Sequence, residues 1–216
     1  MKWNSMQFYP ICLNMTGRSC VVIGGGIVAE RKVLGLISAG ASVTVISAEI
    51  THQLSAWAQS GKIKHEPRNY VVGDLADAEV VFVATGDGKV NEAVYQEGRS
   101  RRIWVNAADD PTHCDFILPS VLRRGDFMVA FSTGGKSPAL ARNIREELEN
   151  HFADNFGSLI DVAAEVRAEL RERSIAPGYE LWRKALNGDV RRHIEHGDLA
   201  RAKELLLKEL GEKLCN

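Results

Sequence analysis

The feature that most constrains this chain is the segment VVIGGGIVAERK at residues 21–32. The preceding run SCVVIGG is typical of a buried parallel strand, because it is short, apolar and rich in branched side chains. The following run IVAERKVLGLISAG has apolar residues at helical spacing and ends at Gly40, a common helix-stop signal. Since glycine costs backbone entropy, three glycines between a strand and a helix indicate that something must approach the backbone closely.

Strands and helices alternate through the first half of the chain. Further strands are predicted at ASVTVIS, KIKHEPRNY, residues 80–84 and IWVNAADD, with helices at EITHQLSAWAQSG and KVNEAVYQEGRSRR. This order predicts an α/β fold with a Rossmann-type parallel sheet. The alternation then stops: two antiparallel strands around Gly125 precede a helix that begins at Ser137, and the chain is helical from Phe156 onward. We therefore predict a dinucleotide-binding domain at 1–113, a small α+β segment at 114–150 and a helical domain at 151–216.

The glycines fit the dinucleotide-binding pattern G-x-G-x-x-[GA], with Gly24, Gly26 and Ala29 at its fixed positions. In this pattern the first glycine allows a tight turn, the second lets a pyrophosphate approach, and the third small residue lets helix and strand pack closely. The backbone of Gly24, Gly25, Gly26, Ile27 and Val28 is predicted to hold the phosphates at the helix N-terminus. The alternative is a tight turn with a structural role alone.

The end of the second strand informs the choice of cofactor. The pattern places an acidic residue there, about 20 residues after the glycines, to bind the ribose. This sequence has Ser47 instead, with Glu49 two residues later. Ser47 can still hydrogen-bond a ribose hydroxyl, and no arginine or lysine stands there to bind a 2′-phosphate. The sequence therefore favours NAD over NADP.

Two further strand ends fall at the ligand-binding edge of such a sheet. Residues 85–87 (Thr85, Gly86 and Asp87) follow one strand and are predicted to contact the cofactor. The next strand is followed by NAADDP, which puts Asp109 or Asp110 where a carboxylate can accept a proton during hydride transfer. The alternative for this segment is an ordinary turn, since aspartate and proline are turn formers.

A second glycine-bearing loop, STGGKS at residues 132–137, leads into the capped helix. This loop is a second candidate anion site, and Lys136, Arg142 and Arg145 add positive charge near it. Such a cluster suits a substrate with several carboxylates. The alternative is a solvated helix face on which Arg142 and Arg145 pair with Glu146 and Glu149.

Composition excludes several other classes of protein. With 27 basic and 28 acidic residues, the chain has no net field for nucleic acid or an anionic membrane. No apolar run is long enough to span a membrane, and MKWNSMQFYP lacks a signal core, so a cytoplasmic protein is expected. No permanent metal site or disulfide framework is expected, because the cysteines are scattered (Cys12, Cys20, Cys114 and Cys215).

Four segments together resemble a known family: YPICLNMTGRSCVVIGGGIVAERK, VFVATGD, VNAADDPTHCDFILPS and VAFSTGGKSPALARNIREELE. In order and spacing they are similar to the precorrin-2 dehydrogenase family, also called the siroheme synthase N-terminal module. The resemblance covers roughly residues 8 to 150, and the helical tail is similar less specifically. It implies an NAD-binding domain, a central dimerisation segment and a helical domain in a homodimer.

The resemblance also implies an activity, NAD-dependent oxidation of precorrin-2 to sirohydrochlorin, and leaves Fe(II) insertion open as a second one. Asp109 matches the catalytic aspartate of the family, and the tetrapyrrole is expected between the NAD domain and the 114–150 segment. The implied substrate-binding residues are Ser132, Thr133, Gly134, Gly135, Lys136, Ser137 and Arg142. Thr133 stands where the family often has serine, and its methyl group stiffens the side chain. The alternative function is a non-catalytic NAD sensor with a partner-binding helical tail.

Overall fold

The computed structural model describes residues 8–152 and 155–211, and the chain forms two compact units with their boundary between Ile117 and Leu118. The predicted three-part division at residues 113 and 150 stays a prediction, because contacts within one chain do not test a dimerisation role. Cys215 lies outside the described residues.

The first unit is a five-stranded parallel sheet flanked by helices. Its strands stand in the order β3-β2-β1-β4-β5, so the chain crosses over between β3 and β4. This arrangement confirms the predicted Rossmann-type fold and makes the gap beyond β1 and β4 the topological switch point. The elements are β1 Ser19–Ile23, α1 Ile27–Ser38, β2 Ser42–Ile46, α2 His52–Gln59, β3 Lys64–Glu66, β4 Val80–Val83, α3 Gly88–Arg101, β5 Trp104–Ala107 and a 3-10 turn at Pro111–His113.

Both faces of this sheet are buried at its central strands, which explains why β1 and β4 are nearly continuous apolar runs. On one face, Val22, Val45 and Phe82 pack with side chains from α1 and α2. On the other face, Val81, Val83 and Val105 pack with Val94 of α3. Alternate residues of each strand thus serve opposite layers of helices.

A buried carboxylate anchors the segment that leads into β4. Glu97 of α3 is only 5% exposed. It accepts hydrogen bonds from Tyr70 Oη at 2.6 Å, Gly73 N at 3.0 Å, Leu75 N at 3.3 Å and Arg101 Nε at 2.8 Å. Burial opposes the ionisation of Glu97, but these hydrogen bonds outweigh it and lower the pKa of the carboxyl.

The second unit begins with an antiparallel hairpin, as predicted. Its turn is at Gly125, whose φ of +58° favours glycine, and α4 packs against both strands. Ser137 caps α4 by accepting from Leu140 N at 3.2 Å, with Pro138 as the first helical residue. The elements are β6 Ser120–Arg124, β7 Phe127–Phe131, α4 Pro138–Glu149, α5 Phe156–Glu172, α6 Tyr179–Ala185, α7 Asp189–Glu195 and α8 Leu199–Gly211.

The C-terminal helices share one apolar core with contributions from α5 to α8. The hairpin joins them through Phe127, whose ring lies 4.6 Å from that of Phe156 and 5.0 Å from that of Phe152. Gly157 permits this packing, since a Cβ there would lie 2.6 Å from Arg124 O. In the described part of the chain, no helix has both the length and the apolar character needed to cross a membrane.

We predict that Glu97→Gln lowers the free energy of unfolding by about 2 kcal/mol, because the amide cannot accept all the N–H and O–H donors that face this position. Chemical denaturation followed by tryptophan fluorescence measures the change. Glu66→Gln, at an exposed position of β3, is the matched control and should change stability by less than about 0.5 kcal/mol. Equal stabilities for the two variants would contradict the anchoring role.

Candidate functional site

The first two glycines of the turn are required by packing. Gly24 has φ +112°, and a Cβ there would lie 2.5 Å from Ala84 O at the end of β4. A Cβ on Gly25 would overlap the carbonyl oxygen of Glu49, in the loop after β2. The ends of β1, β2 and β4 therefore come together only because these two positions have no side chain.

The third glycine lies against open space. Gly26 is the N-cap residue of α1, makes no side-chain cap bond, and has no atom within 4 Å of a Cβ built on it. Ile27 is exposed and Val28 is half-buried. Ala29 is fully buried against the sheet, as its place in the pattern predicts. The turn thus combines uncapped amides, the positive end of a helix dipole and free space, which together suit an anion.

The loop after β2 is fastened to the glycine turn. Thr51 N donates to Gly25 O at 2.9 Å, and Thr51 Oγ1 donates to Glu30 Oε2 at 2.6 Å. Ser47 Oγ donates to Glu49 O at 2.7 Å, so its lone pairs stay available to accept from a ribose hydroxyl. Sequence reasoning missed Thr51 and Glu30. The only signal was Thr51 as a helix cap, which the structure uses through Leu54 N.

The loop after β4 faces the same switch point. Thr85 Oγ1 accepts from Asp87 N at 3.2 Å, and Asp87 Oδ1 accepts from Lys89 N at 2.9 Å as the N-cap of α3. Gly86 is exposed and has open space around it. Of the three residues predicted to contact the cofactor, Thr85 and Asp87 thus also order the loop, and Gly86 leaves room beside it.

The two aspartates after β5 have different environments. Asp109 is exposed, has φ +58°, and makes no hydrogen bond or ion pair with any residue of the described ranges 8–152 and 155–211. The carboxylate of Asp110 accepts from Asn91 Nδ2 at 3.0 Å, Thr112 Oγ1 at 2.6 Å and His113 Nδ1 at 2.6 Å. Burial opposes the ionisation of Asp110, but these hydrogen bonds outweigh it and lower the pKa of its carboxyl to about 2. Of these two aspartates, only Asp109 has a carboxylate without a partner among the described residues.

His113 lies between two carboxylates. Its Nδ1 faces Asp110 and its Nε2 lies 2.6 Å from Glu92 Oε2 on α3. The hydrogen bond to Asp110, and then the one to Glu92, raise the pKa of His113 against the effect of burial. Stability from this pairing is fully present below the pH range in which a free histidine titrates and is lost as the pH rises through the raised pKa.

A half-buried lysine that sequence reasoning missed lies on the α1 side of this edge. Lys32 Nζ donates to Asn106 Oδ1 at 3.3 Å and stands 5.7 Å from the centre of the Phe82 ring. Asn106 Nδ2 in turn donates to Phe116 O at 2.9 Å. Burial lowers the pKa of Lys32. The position of Lys32 in the helical pattern gave no indication that its side chain would be half-buried beside Asn106.

The predicted substrate loop belongs to the second unit and is closed by its own hydrogen bonds. Thr133 Oγ1 donates to Ser137 O and accepts from Ser137 N, both at 3.0 Å. Ser132 Oγ accepts from Gly134 N at 3.1 Å, and Gly134 and Gly135 both have positive φ. The threonine hydroxyl therefore braces the loop, while the exposed Lys136 extends from it.

The arginines of α4 are paired along the helix, as the alternative interpretation predicted. Arg142 Nε lies 2.7 Å from Glu146 Oε1, and Arg145 pairs with Glu146 and Glu149. The Arg142 side chain is 74% exposed, so solvent screens this pair and it contributes little to stability. Such a pair is weak enough for a carboxylate ligand to replace it. In the described residues, no group of three or more histidine, cysteine or acidic side chains is arranged to hold a metal ion.

Curated relatives are siroheme synthases. One from Nitrosococcus oceani is 40% identical over 194 residues, which is 89% of this chain and 42% of that protein. One from Nitrosospira multiformis is 37% identical over 211 residues, which is 95% of this chain and 45% of that protein. The chain thus spans less than half the length of these relatives.

The chain is also similar to a solved structure and matches two family models. SirC, described as a precorrin-2 dehydrogenase, matches with a TM-score of 0.71 at 24% identity, over 91% of this chain and 99% of that chain, which shows a shared fold. A family model described as "Putative NAD(P)-binding" matches residues 11–120, more than half of the chain, and one described as "Sirohaem biosynthesis protein central" matches residues 125–151. This chain therefore belongs to the family described as "Putative NAD(P)-binding". Its similarity to the siroheme synthases confirms the resemblance to their N-terminal module.

Proposed function

We propose that this chain oxidises precorrin-2 to sirohydrochlorin with NAD as the hydride acceptor. The observation that carries the proposal is the exposed Asp109 carboxylate, which is unpaired within the described residues and lies at the same sheet edge as the glycine turn. The names of the siroheme synthase relatives and of SirC support this substrate class. The alternative of a non-catalytic NAD sensor is not favoured, because a sensor does not require an exposed, unpaired carboxylate at this edge of the sheet.

The residues at the switch point fit a dinucleotide. The open space at Gly26 and the uncapped amides of α1 suit a diphosphate. No arginine or lysine stands between Ser47 and Gly61, and Glu49 is exposed in the loop after β2. A 2′-phosphate would therefore meet a negative charge and no arginine or lysine of this segment, which favours NAD over NADP. When bound, NAD supplies the acceptor for the hydride.

Oxidation of precorrin-2 releases one proton with each hydride, and Asp109 is the proposed base. The carboxylate of Asp110 is excluded from this role, because its oxygens already accept from three donors. Exposure of Asp109 lets the proton pass on to water. The substrate is a polycarboxylate, and we assign the binding of its carboxylates to the loop 132–137 and to Arg142.

Three further assignments belong to the same proposal. The first two rest on the family resemblance, and the third keeps the expectation drawn from the sequence. The chain acts as a homodimer through its 114–150 segment. Fe(II) is a second substrate, inserted into sirohydrochlorin after oxidation. The enzyme works in the cytoplasm.

We predict that Gly26→Ala weakens NAD binding about tenfold or more, because the new methyl group occupies the space above the amides. Folding stability should change by less than about 1 kcal/mol, since no atom lies within 4 Å. Calorimetric titration with NAD and thermal unfolding measure the two effects. The control is Gly35→Ala, in an open position of the same helix, where NAD affinity should be unchanged. Wild-type affinity in Gly26→Ala would contradict the proposed phosphate position.

We predict that Asp109→Asn lowers kcat about a hundredfold or more, because the amide cannot accept the proton. Asparagine tolerates positive φ, so the turn and the affinity for NAD should be kept. The assay is anaerobic conversion of precorrin-2 with NAD, followed by the absorbance of sirohydrochlorin, with exposed Asp77→Asn as the control. NAD binding by the wild type without turnover would instead support the sensor, and an active Asp109→Asn would exclude this base.

A further inference from the structure

The backbone of Asp109 adopts a conformation that non-glycine residues rarely take. Its φ of +58° lies in the left-handed region, directly after β5 and before the 3-10 turn. Such a conformation persists only where the surrounding structure fixes it. Its own carboxylate supplies no such restraint, because it has no hydrogen-bond partner among the residues the structure describes. The restraint must come from the neighbours of Asp109.

These neighbours form a closed network between the 3-10 turn and α3. Asp110 accepts from Asn91 and His113, and His113 reaches on to Glu92. The rings of Tyr95, also on α3, and His113 make an edge-type contact with 5.4 Å between their centres. Thr112 Oγ1 donates to the remaining oxygen of Asp110. Pro111, at the first position of the turn, further restricts the backbone.

The chemistry of the network defines its charge state. Both ring nitrogens of His113 lie 2.6 Å from carboxylate oxygens, which only accept hydrogen bonds when ionised. Both nitrogens therefore donate, and His113 is an imidazolium between Asp110 and Glu92. Charge-assisted hydrogen bonds of this kind are short and strong, and they fix the orientation of the groups that they join.

We propose that Asp110, His113 and Glu92 are positioning residues that hold Asp109 in the conformation in which it accepts the substrate proton. The inference rests on the proposed function for the reaction itself. These three side chains satisfy one another, whereas the adjacent Asp109 carboxylate stays free for substrate. A base held in advance avoids the loss of rate that follows from a small misplacement.

The test compares His113→Phe and His113→Gln with the wild type. Phenylalanine keeps a ring against Tyr95 but removes both donating nitrogens, whereas glutamine keeps one donating nitrogen, that of its amide. The control is His193→Phe in the second unit, where His193 Nδ1 lies 3.4 Å from Asp198 Oδ2. Hydrogen exchange of peptides covering residues 105–116 reports how firmly the turn is held, independently of activity. Turnover is measured with and without Asp109→Asn.

We expect exchange in this segment to accelerate about tenfold in His113→Phe, less in His113→Gln, and not at all in the control. We expect kcat of His113→Phe to fall about tenfold to a hundredfold, with KM for precorrin-2 and Kd for NAD within about twofold. In the Asp109→Asn background the same substitution should change kcat by less than about twofold, because the network acts through Asp109.

Unchanged exchange in His113→Phe would overturn the positioning role whether or not the wild type oxidises precorrin-2. Equal losses of kcat in the two backgrounds would also overturn it, because they would show a structural effect unrelated to Asp109. An inactive wild type, in contrast, refutes the proposed function, and the exchange measurement still decides whether the network holds the turn.

Discussion

The close approach of backbone segments at the end of β1 is the constraint on which the rest of this unit depends. Gly24 lies against the carbonyl of Ala84, and Gly25 lies under the carbonyl of Glu49. Side chains at either position would push the ends of β2 and β4 away from β1 and open the switch point. The same absence of side chains lets α1 begin directly at Gly26, with its first amides uncovered. The packing of the strand ends and the binding of a ligand therefore both require positions without side chains in this segment.

Asp109 and Asp110 are neighbours at the carboxyl edge of the sheet, but they have different roles. Asp110 is surrounded by donors and is held in place, whereas Asp109 is exposed and lies in a left-handed conformation. A carboxylate whose oxygens already accept hydrogen bonds is a poor base. A carboxylate on a mobile backbone is poorly oriented toward the substrate. Placing them side by side provides a free carboxylate on a fixed backbone. Lys32, held by Asn106 on the α1 side, adds a positive charge near the same edge.

Much of the fold could be predicted because its signals are local. The strand-glycine-helix junction, the alternation of strands and helices, the hairpin at Gly125 and the cap at Ser137 depend on short-range preferences. The choice between Asp109 and Asp110 could not be made from spacing, because the partner residues of Asp110 on α3 are distant in sequence. The pattern also treats position 25 as free, whereas the loop after β2 requires glycine there. Tertiary neighbours, which no periodicity reveals, decide these cases.

A crystal structure with NAD bound tests the central claim most directly. We expect diphosphate oxygens hydrogen-bonded to the amides at the start of α1, and a nicotinamide ring on the side of the sheet edge where Asp109 lies. A diphosphate bound elsewhere, or a nicotinamide ring that points away from Asp109, would contradict the account.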